Sequence, residues 1–242
     1  MAYSLSFTTE EWAATMAALA LPSPLGLDDV TGEAGVEPDE ATLAVGARSL
    51  LGRGLFDPSD SDNDVHPLLV RLLLALLEAE EVVVVNTAYP GATTMHGWYV
   101  VNEIGVAMSQ DLFTNLRFRV APAEDVVAQA KQTLGSLAPA TPAREQHPVT
   151  PDDLRAVLTA LTGDAGSAPS LRTGTVSRPV SYLANVRGWT RDGSDVAEAS
   201  LLVVGFADHG AWVVDDDGGV PVLTQLRPPW PDSLRRFGTA AQ

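Results

Sequence analysis

The feature that most limits what this chain can fold into is a motif it carries twice. Gly97-Trp98-Tyr99-Val100-Val101-Asn102-Glu103-Ile104-Gly105-Val106 is echoed by Gly210-Ala211-Trp212-Val213-Val214-Asp215-Asp216-Asp217-Gly218-Gly219-Val220. Each copy runs from Gly to an aromatic residue two positions on, then Val-Val, a polar turn and Gly-Val, with one extra residue in the second turn. β-Branched and aromatic residues on both sides of an Asp/Asn- and Gly-containing turn specify a β-hairpin. A β-branched run precedes each copy (Val82 to Val85; Leu201 to Val204), and Leu-Arg, Pro and a short helical pattern follow each. The expected fold is α+β: antiparallel sheet or sheets flanked by helices, in two quasi-repeated halves related by a pseudo-twofold. Trp98 and Trp212 are expected at equivalent places in the repeat, as shared scaffold.

The remaining elements follow from caps and periodicity. Thr8-Thr9-Glu10-Glu11 has capping-box spacing, with Trp12, Met16 and Leu19 on one face of the helix it opens. Leu21-Pro22-Ser23-Pro24-Leu25 ends that helix, and Asp28 to Val36 reads as a loop. Glu37-Pro38-Asp39-Glu40 starts a second helix with proline in its first turn and Leu43, Ala47, Leu50 and Leu51 as its buried stripe. A third helix after Pro67 is apolar from Leu68 to Leu77 except at Arg71, and is expected to be enclosed on most sides. Val82 to Ala88 is a strand buried on both faces, Tyr89-Pro90-Gly91 turns it, and His96 to Val101, Val106 to Ser109 and Leu116 to Val120 complete a meander. Pro122 opens a helix carrying Val126, Val127, Ala130 and Leu134. The first half is thus 1–138, a linker is expected at 139–149, and 150–242 forms the second half within one compact domain. There Thr150-Pro151-Asp152-Asp153 starts a helix with Leu154, Val157, Leu158 and Leu161 inward. Strands follow at Val180 to Arg187, Ala199 to Phe206, Ala211 to Asp215 and Val220 to Gln225, then a short helix at Pro231 to Phe237.

Charge and composition exclude several functions. The 242 residues carry 31 Asp and Glu against 15 Lys and Arg, a formal charge of −16, and Lys131 is the single lysine. Such a field repels phosphate backbones and anionic lipid surfaces, so neither nucleic acid nor membrane is an expected partner. The absence of cysteine removes disulfides, thiolate zinc sites and cysteine nucleophiles. Met1 to Glu11 lacks a basic segment followed by an apolar core, and Leu68 to Leu77 is too short to span a bilayer. A cytoplasmic protein is expected.

Leu21-Pro22-Ser23-Pro24-Leu25, a helix closing on Leu51-Gly52-Arg53-Gly54-Leu55, and Val65-His66-Pro67-Leu68-Leu69 together resemble the EspG family, the cytosolic chaperones of type VII (ESX) secretion. Val203 to Gly219 and Leu226-Arg227-Pro228 resemble that family's late strand pair leading to a proline-started final helix. The resemblance implies a mixed α+β fold with quasi-twofold halves. It also implies a function without chemistry, in which the helical tip of a secreted PE–PPE-type dimer is bound and kept soluble until export. This sequence departs from the family in a shortened second half and in having Asp208-His209-Gly210 at a strand ending.

Other site patterns fail on spacing. Asp60, Asp62 and Asp64 open like a calcium loop, but Val65 stands where glycine is needed and Arg71 where the bidentate glutamate belongs. Asp215, Asp216 and Asp217 read first as part of a hairpin. His66, His96, His147 and His209 form no H-E-x-x-H or H-x-H pair; His66 and His147 precede prolines at helix starts, and His209 with Asp208 reads as a turn. No G-x-S-x-G is present, and Gly52-Arg53-Gly54 follows a helix rather than joining strand to helix. No catalytic, cofactor or metal residue is therefore assigned, and a partner-binding surface cannot be read from the sequence. Trp12, Trp98, Trp189, Trp212 and Trp230 could serve core or interface. The alternatives to a chaperone are a winged-helix-like regulator, from three helices followed by a hairpin, and a metal-dependent hydrolase using the aspartate clusters.

Overall fold

The computed structural model describes residues 2–27, 38–56, 65–110, 115–137, 146–163, 169–173, 175–207, 210–217 and 220–225. In chain order the elements are β1 (Tyr3–Phe7), α1 (Thr9–Ala18), α2 (Glu40–Gly52), α3 (Pro67–Leu77), β2 (Glu81–Tyr89), β3 (Ala92–Val101), β4 (Ile104–Gln110), β5 (Leu116–Pro122) and α4 (Ala123–Ser136). Then come β6 (Gln146–Pro148), α5 (Pro151–Thr162), β7 (Ser170–Thr173), β8 (Val176–Asp192), β9 (Asp195–Phe206), β10 (Gly210–Asp217) and β11 (Val220–Gln225). An antiparallel sheet runs β1-β5-β4-β3-β2-β8-β9-β10-β11-β6, with β7 attached to β8. The α+β class with helices flanking an antiparallel sheet is the one observed.

The sheet exists because its central strands are apolar on both sides. Val82 to Val85 in β2 are all buried. Val82 and Val84 enter a core beneath α1, α2 and α3, whereas Val83 and Val85 enter a second core with α4. A third core, on the α5 side, joins Val157 and Leu161 to Val204, Trp212 and Leu223. Alternation along each strand thus assigns residues to faces. Around the first core, Trp12 stacks on Phe118 with ring centroids 5.0 Å apart.

The expected capping box at Thr8–Glu11 is formed, and the helix expected at Thr150 opens with a second one, Thr150–Asp153. Glu11 does more than cap. Buried itself, it accepts a hydrogen bond from the Ser49 hydroxyl at 2.6 Å and pairs with the Arg53 guanidinium at 2.6 Å, locking α1 to the end of α2. A second Arg53 nitrogen donates to the carbonyl of Ser6 in β1 at 2.8 Å. Gly52-Arg53-Gly54 is therefore a brace between three elements. Gly26, at φ +76°, is likewise positional: an added Cβ would lie 2.6 Å from Val84 Cγ2 and 3.0 Å from the Trp189 ring. Leu25 offers its carbonyl to the Tyr99 hydroxyl at 3.1 Å. The proline-rich segment is thus laid across the middle of the sheet.

Several expectations change. Pro38 lies outside α2, because Asp39 is the N-cap and accepts from the amide of Thr42 at 2.7 Å. Leu51 is exposed instead of completing that helix's buried stripe. On α3 Leu69, Leu72, Leu73 and Leu76 are buried, but Val70 and Leu74 are exposed, so this helix has one covered side. The β2–β3 connection is a two-residue turn, with Tyr89 paired to Ala92. Strand β6 falls inside the expected linker. Trp98 and Trp212 occupy opposite faces, in the second and third cores. Trp212 shares its face with Tyr99, the aromatic two residues after Gly97, because side-chain direction flips at every residue of a strand. The final helix at Pro231 to Phe237, Trp230, the loop Asp57 to Asp64, and Asp208-His209 lie outside the described residues.

Candidate functional site

Register aligns one row of residues across five strands: Gln110, Met95, Asn86, Asn185 and Leu202. A neighbouring row holds Thr93, Ala88 and Leu183. These rows floor a cleft of about 550 Å³, with Leu158 of α5 as a wall. On one side the sheet is roofed by the Leu21 to Leu27 segment over Val84 and Trp189, and on the other by α5. Between the two roofs no other described element covers the sheet, and Asn185 is exposed although it lies on a central strand. The wall is fixed in place, since the amide of Gly91 in the β2–β3 turn donates to the carbonyl of Leu161 at 2.9 Å.

The chemistry of this cleft is uniform. Its described lining residues are Asn, Gln, Thr, Ala, Met and Leu, with no ionisable side chain among them. Amides and hydroxyls can meet backbone or side-chain polar groups of a ligand, and Met95, Leu183, Leu202 and Leu158 can cover an apolar tip. A threonine hydroxyl with no base beside it is not an activated nucleophile. The arrangement is suited to holding a peptide surface.

The other candidates are placed as follows. His66 caps α3, its Nδ1 accepting from the Leu68 amide at 3.2 Å. His96 stacks on Trp98 with centroids 6.0 Å apart, and burial pushes its pKa below the ordinary 6.5. His147 packs against Trp212 at 5.4 Å. Asp215, Asp216 and Asp217 are paired along β10 with Val222, Pro221 and Val220. Among the described residues no group of three or more His, Asp or Glu could hold a metal ion. Trp12, Trp98, Trp189 and Trp212 are all buried and serve the cores. The helix that a winged-helix reading would place on DNA, α3, is packed on the sheet through Leu69, Leu72, Leu73 and Leu76.

The cleft residues were missed in the sequence, though a signal was present. In Val82-Val83-Val84-Val85-Asn86 an amide occupies the next position of the face that Val82 and Val84 fill, and Asn185 interrupts β8 in the same way. A polar residue at an inward position of a central strand marks where cover stops.

No protein-family model matches the chain, and no curated protein matches its sequence. Among solved structures it is similar to the Mycobacterium tuberculosis type VII secretion system chaperone EspG5 in complex with the PE25–PPE41 dimer. The TM-score is 0.54 at 10% identity, over 98% of this chain and 94% of that one. The dehydratase domain of a mycocerosic acid synthase-like PKS is matched with a TM-score of 0.13 at 10% identity, over 66% of this chain and 81% of that one. The chain has the EspG-type fold, as the resemblance at Leu21 to Leu25 and Leu51 to Leu55 implied.

Proposed function

We propose that this protein is a non-enzymatic, cytoplasmic chaperone of the type VII secretion kind, which holds a helical PE–PPE-type secreted protein or dimer soluble before export. The observation that carries this reading is the uncharged cleft, open on the central strands of a fold otherwise found in a chaperone solved with such a dimer. The tip of a helical hairpin presents apolar side chains and free backbone groups together, and this lining of amides and aliphatic groups can meet both. Among the described residues no helix is long and apolar enough to cross a membrane. The strand order also supports two halves, 1–138 and 150–242 with β6 drawn from the segment between them, related by a pseudo-twofold at the β2–β8 pair: counted outward, β3 answers to β9, β4 to β10, β5 to β11 and β1 to β6.

Co-expression with PE–PPE-type proteins encoded beside it is expected to yield a soluble complex in size-exclusion chromatography. Leu158→Asp and Asn185→Arg are expected to abolish that complex while shifting stability by no more than about 0.5 kcal/mol, since both side chains are exposed. A complex with none of these candidates, or one that both variants leave intact, overturns the proposal.

A further inference from the structure

We propose that the outer edge of β9, from Asp195 to Ser200, binds an extended segment of another protein as an added antiparallel strand, with a basic residue of that segment opposite Glu198. Strand β9 pairs with β8 from Asp195 to Phe206, but its pairing with β10 covers only Leu202 to Phe206. Along the rest of that side no described strand is paired with it, and no described loop bonds to its backbone. Asp195, Val196, Ala197, Glu198 and Ser200 are exposed. Asp192 pairs with Asp195 across the Gly193-Ser194 turn, where Gly193 has φ +61°. Residues flanking such a turn exchange both backbone bonds, so Asp195, Ala197 and Ala199 bond to β8, and the N–H and C=O groups of Val196, Glu198 and Ser200 point away from it.

The ends of the sheet are blunted where this edge is not. In β1 the Ser6 carbonyl already accepts from Arg53, and β6 is short and ends at Pro148. Asp195 to Ser200 contains neither proline nor lysine. A ladder of outward backbone groups specifies an extended ligand, and charge specifies its side chains. Val196, Glu198 and Ser200 share one face, so the ligand residue opposite Glu198 has its Cβ about 4.5–5.5 Å away. Lysine or arginine there pairs with the carboxylate, and a β-branched residue suits the position opposite Val196. A second copy is disfavoured: the register that pairs most of this edge with itself sets Glu198 against Glu198, between chains of formal charge −16. The inference does not rest on the chaperone reading, since it uses neither the cleft nor a PE–PPE-type client.

The test is fluorescence anisotropy of the full chain with a labelled threonine-rich peptide that has a central lysine and a valine two positions on. Saturable binding is expected. Ser200→Pro removes an outward donor from an edge strand, where proline is tolerated, and is expected to abolish binding with thermal unfolding unchanged. Glu198→Lys is expected to weaken binding about fivefold or more, and to prefer a peptide with glutamate in place of the lysine. Methylation of the peptide's lysine amide is expected to block binding, whereas methylation of the next amide, which faces away, is tolerated. Leu158→Asp in the cleft is expected to bind the peptide as the wild type does. No saturable binding, equal binding of the lysine-methylated peptide, or no change of charge preference in Glu198→Lys overturns the proposal. A dimer in sedimentation equilibrium that Ser200→Pro dissociates would assign the edge to a second copy, which also overturns it.

Discussion

Glu11 shows how much one side chain can integrate. Burial pushes its carboxyl upward, but the bonds from Ser49, Arg53 and Thr8 together outweigh burial and hold its pKa below the ordinary 4.5. Glu11→Gln is expected to cost about 2–3 kcal/mol, because charge-assisted bonds are lost while Arg53 keeps its charge. Urea denaturation at pH 7 checks this. A carboxyl with a depressed folded-state pKa binds protons more readily in the unfolded chain, so its stabilisation is present above the unfolded value and lost as pH falls through the folded one. Wild-type stability should therefore fall below about pH 4.5, and Glu11→Gln should fall less steeply. Asp39 and Asp153, lowered by hydrogen bonds from Thr42 and Thr150, act in the same direction. The capping role of Glu11 was legible from Thr8, three residues before it. Its pairing with Arg53 was not, because nothing local links positions 42 residues apart.

At the scale of elements, α3 separates what periodicity reveals from what it hides. A leucine-rich run broken by a single charge at Arg71 does not say which side faces the sheet. The structure shows Leu73 buried and Leu74 exposed, one residue apart. Leu73→Ala is expected to destabilise by about 2–4 kcal/mol through the cavity left behind, and Leu74→Glu by less than about 0.5 kcal/mol. Comparison of their urea midpoints decides, and similar losses would mean that α3 is seated differently. Strand β1 was readable and overlooked: Tyr3, Leu5 and Phe7 alternate with Ser4 and Ser6, the period of a half-buried strand. Strand β6 was not readable, since three residues carry no pattern and their partners, Val222 to Thr224, lie far along the chain.

For the whole molecule, the motif at Gly97 and Gly210 announced hairpins, and both copies form them. The copies are β3–β4 and β10–β11, whereas the pseudo-twofold proposed above would match β3–β4 with β9–β10. Strand order is set by which edges meet, and no local pattern encodes that. The cleft proposed as a binding site was hidden for the same reason, since its row of residues is assembled from five strands. Because one sheet continues through the β2–β8 pair, far-ultraviolet circular dichroism and tryptophan fluorescence are expected to report coincident unfolding. Trp12 lies in one half and Trp212 in the other. Two separated transitions would show that the halves unfold independently.

The β2–β8 pair also bears on how the protein is made. Val82 meets Trp189, so a valine-rich strand emerges from the ribosome roughly a hundred residues before its neighbour does. At ordinary elongation rates that interval is on the order of 5–20 s. Throughout it the nascent first half presents a β-branched edge of the kind that recruits other chains. A protein whose proposed task is to shield a partner from aggregation thus passes through a stage at which it is open to the same hazard.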